Sequence, residues 1–253
     1  MIKLILGDCL EKMQDIQNSS IDLVICDLPY GQTRCSWDSI IPINKLWEQY
    51  NRIVKENGVI ALNSSQPFTT FLISSNIENF KYSWVWNKNC PSNIACGNYM
   101  PLRYTEDICI FYRKQPIYNK QMIARSESGK NLINQYKNKG TTFKLSSSEV
   151  SSITSTEVDP NRYSSELKNP SNLINFGVDR SRKYKHPSKK PVGLCEYLVR
   201  TYTNEGDTVL DNCMGSGTTG IACFNTNRKF IGIEKDEKFF NTAKERIEEH
   251  QNA

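Results

Sequence analysis

The 253-residue chain has only two histidines, no C-x-x-C pair and no paired cysteine/histidine spacing. Those absences point away from a zinc site, which draws on closely spaced Cys and His ligands. There is no apolar stretch approaching the roughly 18 residues of a membrane span. Met1 leads directly into a strand-like run, Ile2 to Leu6, with no signal peptide. The nine cysteines are odd in number, and Cys26 and Cys109 sit inside apolar runs. That usage argues for reduced thiols in a cytoplasmic protein rather than a disulfide framework. No large charge excess exists either: 32 Lys+Arg stand against 27 Asp+Glu, a net charge of +5. The mild positive balance suits a polyanionic partner without requiring one. The length allows one large domain, or one with an inserted module.

Against this plain background one stretch stands out, Ile21 to Gly31. Leu23 to Cys26 reads as a buried parallel strand. Asp27 follows at its carboxyl end, where open α/β sheets bind ligands. Pro29 has a fixed φ and biases Leu28 towards an extended conformation, so the Leu28 carbonyl leaves the strand beside the Asp27 carboxylate. Two fixed acceptors can grip a flat –NH2 group, and Tyr30 offers an aromatic face to the ring that bears it. The same four residues also fit an ordinary strand end and turn.

A second dense stretch runs from Asp207 to Gly220. Thr208 to Leu210 reads as a strand with Asp211 at its end. Gly215, Gly217 and Gly220 then allow close backbone approach to a ligand before a helix, Thr218 to Asn225. Lys229 to Ile233 is the next strand, and Glu234 ends it where a carboxylate can take both hydroxyls of a ribose. The pattern formally satisfies G-x-G-x-x-G, so a nicotinamide-dependent oxidoreductase is a rival reading. Asp211 speaks against it, because a strand-end carboxylate would repel a pyrophosphate and welcome an ammonium and a sulfonium.

Further elements follow from periodicity. Helices are predicted over Leu10 to Ile16, Leu46 to Lys55 (ended by Asn57-Gly58), Val192 to Thr203 and Lys238 to Glu249. Strands are predicted at Val59 to Leu62, Tyr82 to Trp86 and Asp107 to Tyr112, the last two as a hairpin. Pro67 and Phe68 open another helix. Gln115 to Asn172 is rich in Ser, Thr, Asn and Lys with no clear period, and reads as an insertion with limited structure, ordered partly by a partner. Asp179 to Lys190 is the most basic run.

Asp27-Leu28-Pro29-Tyr30 resembles the Asp-Pro-Pro-Tyr tetrapeptide of the amino-methyltransferases of DNA, with Leu28 in place of the commoner proline. His186-Pro187-Ser188-Lys189-Lys190-Pro191 resembles that family's His-Pro-Thr-Gln-Lys-Pro signature. The order of catalytic strand, variable insertion and cofactor strand is similar to the circularly permuted β class. The resemblance covers about Lys3 to Arg113 and His186 to Ile247. It implies a Rossmann-like methyltransferase fold of class α/β: a mostly parallel twisted sheet with helices on both faces and an inserted target-recognition segment. The expected division is a catalytic half at 1–114, the insertion at 115–178 and a cofactor-binding half at 179–253.

The resemblance further implies S-adenosyl-L-methionine as cofactor and DNA as substrate. The resemblance also implies a place among restriction–modification methyltransferases, and a homodimer is a common assembly among the enzymes it resembles. Asp27, Leu28, Pro29 and Tyr30 would be catalytic. Asp8, Cys9, Asp27, Lys190, Asp211, Asn212, Gly215, Ser216, Gly217, Thr218 and Glu234 would hold the cofactor. Tyr30, Arg34, Trp37, Lys88, Arg180 and Arg182 would meet nucleic acid. Asp27 at the head of the tetrapeptide favours the N6 amine of a flipped-out adenine. The alternatives are the N4 amine of cytosine, or a nucleic-acid-binding subunit of methyltransferase type without catalysis.

Overall fold

In the computed structural model, residues 1–31, 39–139, 143–144, 157–158, 164–179, 183 and 189–252 are described. The chain divides into two units, Met1–Asn119 with Asn172–Ala253, and Lys120–Ser171.

The first unit is organised by apolar strands with both faces buried. Its strands are β1 (Ile2–Leu6), β2 (Ile21–Asp27), β3 (Val54–Ser64), β4 (Phe80–Asn87), β5 (Thr105–Phe111), β10 (Leu173–Asn175), β11 (Thr208–Asp211) and β12 (Lys229–Glu234). They form one sheet in the order β1-β12-β11-β2-β3-β5-β4-β10. Five pairings are parallel, and the two made by β5 are antiparallel. The helices are α1 (Cys9–Lys12), α2 (Ile43–Ile53), α3 (Phe68–Ser74), α5 (Val192–Tyr202), α6 (Thr218–Asn225) and α7 (Glu237–Gln251).

Alternation along the central strands fills two cores. Val24, Cys26, Ile60 and Leu62 pack with Met13, Leu46, Tyr50, Ile53 and Leu72 on one face. Leu23, Ile25, Val59 and Ala61 pack with Leu194, Leu198, Val199, Ile221 and Ile247 on the other. Each fully buried Leu or Ile among these contributes about 1.5–3 kcal/mol relative to exposure. The two-sided burial makes the fold α/β with helices on both faces, as the residue pattern predicts.

Asn57-Gly58 does not end a helix. Helix α2 stops at Ile53, Val54 turns extended as its C-cap, and β3 already starts there. Ile21 pairs with Val54 but Leu23 with Val59, so Lys55 to Gly58 form a bulge. Lys55 reaches Asp22 at 2.7 Å from this bulge. Gly58 is required by close approach: a Cβ there would lie 2.7 Å from Val54 Cγ1 and 3.0 Å from the Asp22 carbonyl.

Among its described residues the second unit carries regular structure in short pieces and one helix. It holds β6 (Ile123–Ala124) paired antiparallel with β9 (Leu167–Lys168), and β7 (Phe143–Lys144) paired with β8 (Glu157–Val158). It also holds a 13-residue helix, α4 (Glu127–Lys139). One apolar side chain, Ile133, is buried from this helix, and Lys130 binds both Glu127 and Glu166 at its start. With so few apolar residues the helical period is faint in the sequence. Leu173 to Asn175, placed by the sequence in the insertion, instead form β10 at the edge of the main sheet. Among the described residues no helix is long and apolar enough to cross a membrane.

Substituting Gly58→Ala is expected to destabilise the fold by about 1–3 kcal/mol through overpacking, read as a lower denaturant midpoint with an unchanged slope.

Candidate active site

Strand polarity places six polar side chains along one edge of the sheet. In spatial order, Asp8 follows β1, Glu234 ends β12, Asp211 ends β11 and Asp27 ends β2. Asn63 is next to last in β3, directly paired with Asp27, and Glu106 is the second residue of the antiparallel β5. All six line one cleft of ≈ 650 Å³.

At one end of the cleft lies the glycine loop. Gly217 takes φ +74° as the N-cap of α6, and a Cβ there would meet Ala243 Cβ at 3.0 Å. The Gly215 amide donates to Glu234 Oε2 at 2.8 Å, and the amides of Lys235 and Asp236 donate to Oε1, each at 2.9 Å. Burial pushes the Glu234 carboxyl up despite these donors. Arg246 of α7 ties the loop down, donating to the Ser216 carbonyl at 3.1 Å and to Thr218 Oγ1 at 2.8 Å. Asn212 Oδ1 accepts from the buried Tyr50 hydroxyl at 2.6 Å. Asp8 Oδ1 accepts the Leu10 amide at 2.9 Å, and Lys235 reaches Oδ2 at 3.2 Å. Burial alone would raise the Asp8 carboxyl, but these partners outweigh it and hold it below its ordinary value.

Asp211 is the most strained of the acids electrostatically. Its Oδ2 accepts from Thr219 Oγ1 at 2.7 Å and its Oδ1 from the Cys213 amide at 3.2 Å. Burial nonetheless pushes its pKa up to about 7, with the carboxylates of Asp27 and Glu234 adding to the effect.

The other end is built around Asp27. The Tyr30 hydroxyl donates to Oδ1 at 2.8 Å, and Lys190 Nζ donates to Oδ2 at 2.7 Å. The Tyr30 ring stacks on Phe68 with centroids 4.9 Å apart. Burial, and then the Asp27 charge, raise the Tyr30 phenol well above its ordinary value, so it stays a donor. Lys190 also lies 3.4 Å from Glu106 Oε2 and 5.8 Å from the centre of the Trp86 ring. Lys88 holds the opposite oxygen of Glu106 at 3.0 Å. Burial would drain the Lys190 ammonium, yet Asp27 and Glu106 raise its pKa above the ordinary lysine value. Glu106 is likewise held low, because Lys190 and Lys88 overcome its burial.

Asp8, Cys9, Asp27, Leu28, Pro29, Tyr30, Lys190, Asp211, Asn212, Gly215, Ser216, Thr218 and Glu234 all line the cleft. Gly217 shapes the loop from behind. Lys88, expected to face nucleic acid, is 4 % exposed and spends its charge on Glu106. Its position just past β4 turns it inward beneath the hairpin, where its amide also donates to the Tyr104 carbonyl. Arg34, Trp37, Arg180 and Arg182 lie outside the described residues. Asn63, Glu106 and, behind Asp211, Thr219 are among the cleft residues that went unread in the sequence. The acidic pair Glu106-Asp107 heading an apolar run was the available signal for the second. Its meaning depends on β5 running antiparallel to its neighbours.

Two acid-tipped neighbouring strands, a glycine loop and one shared cleft define an α/β enzyme that binds a nucleoside-bearing ligand at the switch in strand order. The DNA methylase family model matches residues 21–245, and the chain belongs to that family. It is 26 % identical to the Type II methyltransferase M.HpaI of Haemophilus parainfluenzae, over 99 % of this chain and 75 % of that one. It is also 26 % identical to the DNA adenine methyltransferase YhdJ of Escherichia coli, over 96 % of this chain and 81 % of the relative. Among solved structures, the M1.HpyAVI–SAM complex aligns with a TM-score of 0.62 at 24 % identity, over 97 % and 100 % of the two chains. Family membership makes the protein a DNA methyltransferase dependent on S-adenosylmethionine, which sets aside the oxidoreductase reading.

The raised Asp211 carries a stability consequence. Folded Asp211 keeps its proton up to about pH 7, whereas the unfolded group releases it near the ordinary value of 3.8. Between those values the native state binds more protons, so the Asp211 contribution to stability falls as pH rises. Asp211→Asn is therefore expected to be more stable than wild type at pH 8, by on the order of a few kcal/mol. That gain should shrink as pH is lowered towards 4 in parallel denaturation curves.

Proposed function

We propose that the protein methylates the exocyclic N6 amine of adenine in DNA, at a specific site, working in the cytoplasm. The observation that carries the reading is the meeting of Asp27 and Asp211 at one cleft, on strands β2 and β11 that pair directly. The adenine preference is supported by Asp27 at the head of the tetrapeptide and by the adenine relative YhdJ.

The residues present fit S-adenosylmethionine. Glu234 offers acceptors for ribose hydroxyls, Asp211 a buried carboxylate for an ammonium, and the Gly215–Gly217 loop a backbone wall. Asp8 and Cys9, which line the same cleft, would meet the adenine. When bound, the cofactor supplies an electrophilic methyl group on a sulfonium. The chain's own task is to position the acceptor nitrogen. A base inside a duplex cannot reach the cleft and must flip out, at a cost of a few kcal/mol. The Asp27 carboxylate and the Leu28 carbonyl then accept the two amine hydrogens, and Pro29 fixes the angle between them. Their grip turns the nitrogen lone pair towards the methyl group. Tyr30, backed by Phe68, stacks on the base. Catalysis is then a matter of orientation and fixed charge, with no covalent intermediate on the protein.

Incubating the purified protein with tritiated S-adenosylmethionine and unmethylated duplex DNA should label N6-methyldeoxyadenosine. Label in N4-methyldeoxycytidine would move the target to cytosine. Asp27→Ala is expected to abolish methylation, by at least about 100-fold, while leaving cofactor affinity near wild type. Retained methylation would remove Asp27 from the chemistry. Since Asp211 must be ionised to receive an ammonium, cofactor affinity should fall about tenfold per pH unit below 7. Titration calorimetry between pH 5.5 and 7.5 reads this directly, and a flat profile would deny Asp211 that role.

A further inference from the structure

Buried side-chain polar atoms without a hydrogen-bond partner are costly and call for a reason. Among the described residues there are two, Asn63 Oδ1 and Glu106 Oε2, and both residues line the cleft beside Asp27. Glu106 is the more informative. Its Oε1 is committed to Lys88 at 3.0 Å. Its Oε2 is buried and faces Lys190 at 3.4 Å, close enough for charge attraction and too far for a good hydrogen bond. Lys190 meanwhile makes its close contact with Asp27, at 2.7 Å. The four groups form an alternating row, Lys88, Glu106, Lys190 and Asp27, with one ammonium shared unequally between two carboxylates.

The chemistry makes that sharing matter. In the transfer the amine lone pair forms the new N–C bond, the C–S pair stays on sulfur, and the amine then loses a proton to solvent. Positive charge therefore moves onto the amine nitrogen, beside Asp27. A carboxylate stabilises that charge only so far as its own charge is not already cancelled, and at 2.7 Å the Lys190 ammonium cancels much of it. Glu106 Oε2 has the unused capacity to take the ammonium instead.

We propose that Glu106 is a positioning residue that draws Lys190 off Asp27 when the target base enters, leaving Asp27 uncompensated towards the amine. Lys88 fixes Glu106 for this purpose, which accounts for a buried lysine beside the cleft. The inference rests on the reading of Asp27 as the group that holds the target amine.

The test is a double-mutant cycle in single-turnover methylation of a cognate duplex, with cofactor affinity measured on every variant. Glu106→Gln should lower the rate about 10- to 100-fold, the worth of one charge-assisted interaction. Its KM for DNA and its cofactor affinity should stay within about twofold of wild type. In a Lys190→Met background there is no ammonium to withdraw, so Glu106→Gln should have no further effect. Lys190→Gln replaces Lys190→Met should the latter fail to bind cofactor. A wild-type rate in Glu106→Gln, or the same loss with and without Lys190, would overturn the proposal. Wild-type protein that methylates no DNA would instead overturn the functional reading beneath it.

Discussion

The constraint on which the structure depends is a crowding of negative charge. Parallel strands all end at the same edge of a sheet, and here four of them deliver a carboxylate there: Asp8, Glu234, Asp211 and Asp27. Glu106 joins from an antiparallel strand. Left alone, such a row would raise the pKa of every member and pull the edge apart. Each acid is answered differently. Glu234 is held by three backbone amides, Asp211 by a hydroxyl and an amide, Asp8 by Lys235, and Asp27 and Glu106 by two lysines between them. Asp211 is answered least, with no cation among the described residues within ion-pair distance, and it is the one whose proton lingers to about pH 7. A site that is left short of positive charge is one prepared to receive it.

The supports of these acids come from far along the chain. Arg246 in the last helix braces the glycine loop, and Tyr50 in α2 reaches Asn212 through the core. Lys190 approaches from the residues just before α5. The glycine loop is thus stiffened from behind by α7, while the Asp27 end is held by Lys190, which also faces Glu106. On the proposed assignment of the two ends to cofactor and target base, this division suits two ligands of different kinds. One is a small molecule met free in solution, and the other must be extracted from a polymer.

Much of this was readable in the residues. The strand ends at Asp27, Asp211 and Glu234 were legible because short apolar runs stopped abruptly at an acid. Helix α6 was legible because glycines preceded it. What could not be read depends on long-range pairing. Glu106 is an ordinary acid at the start of a strand until β5 runs antiparallel beside β3 and brings its first residues to the catalytic edge. Lys88 reads as a surface cation until that same hairpin folds it inward. Asn57-Gly58 has the chemistry of a helix stop, and only the pairing of β3 with β2 turns it into a bulge. Helix α4 was missed for the opposite reason: it buries a single apolar side chain, too little for a period to show.

The strand order has a consequence for how the chain is made. Strand β2 sits at the centre of the finished sheet, yet its neighbour β11 lies far downstream; the Thr208 amide donates to Asp22 across 186 residues. Strand β1, near the start, pairs with β12, which is later still. During synthesis β2 and β3 can pair early, but one hydrogen-bonding edge of β2 stays open until most of the chain has emerged. An open, apolar edge is a template for pairing with other chains. The nascent protein thus carries an open apolar edge along the strand that ends at Asp27, and slow translation would lengthen the time that edge is exposed.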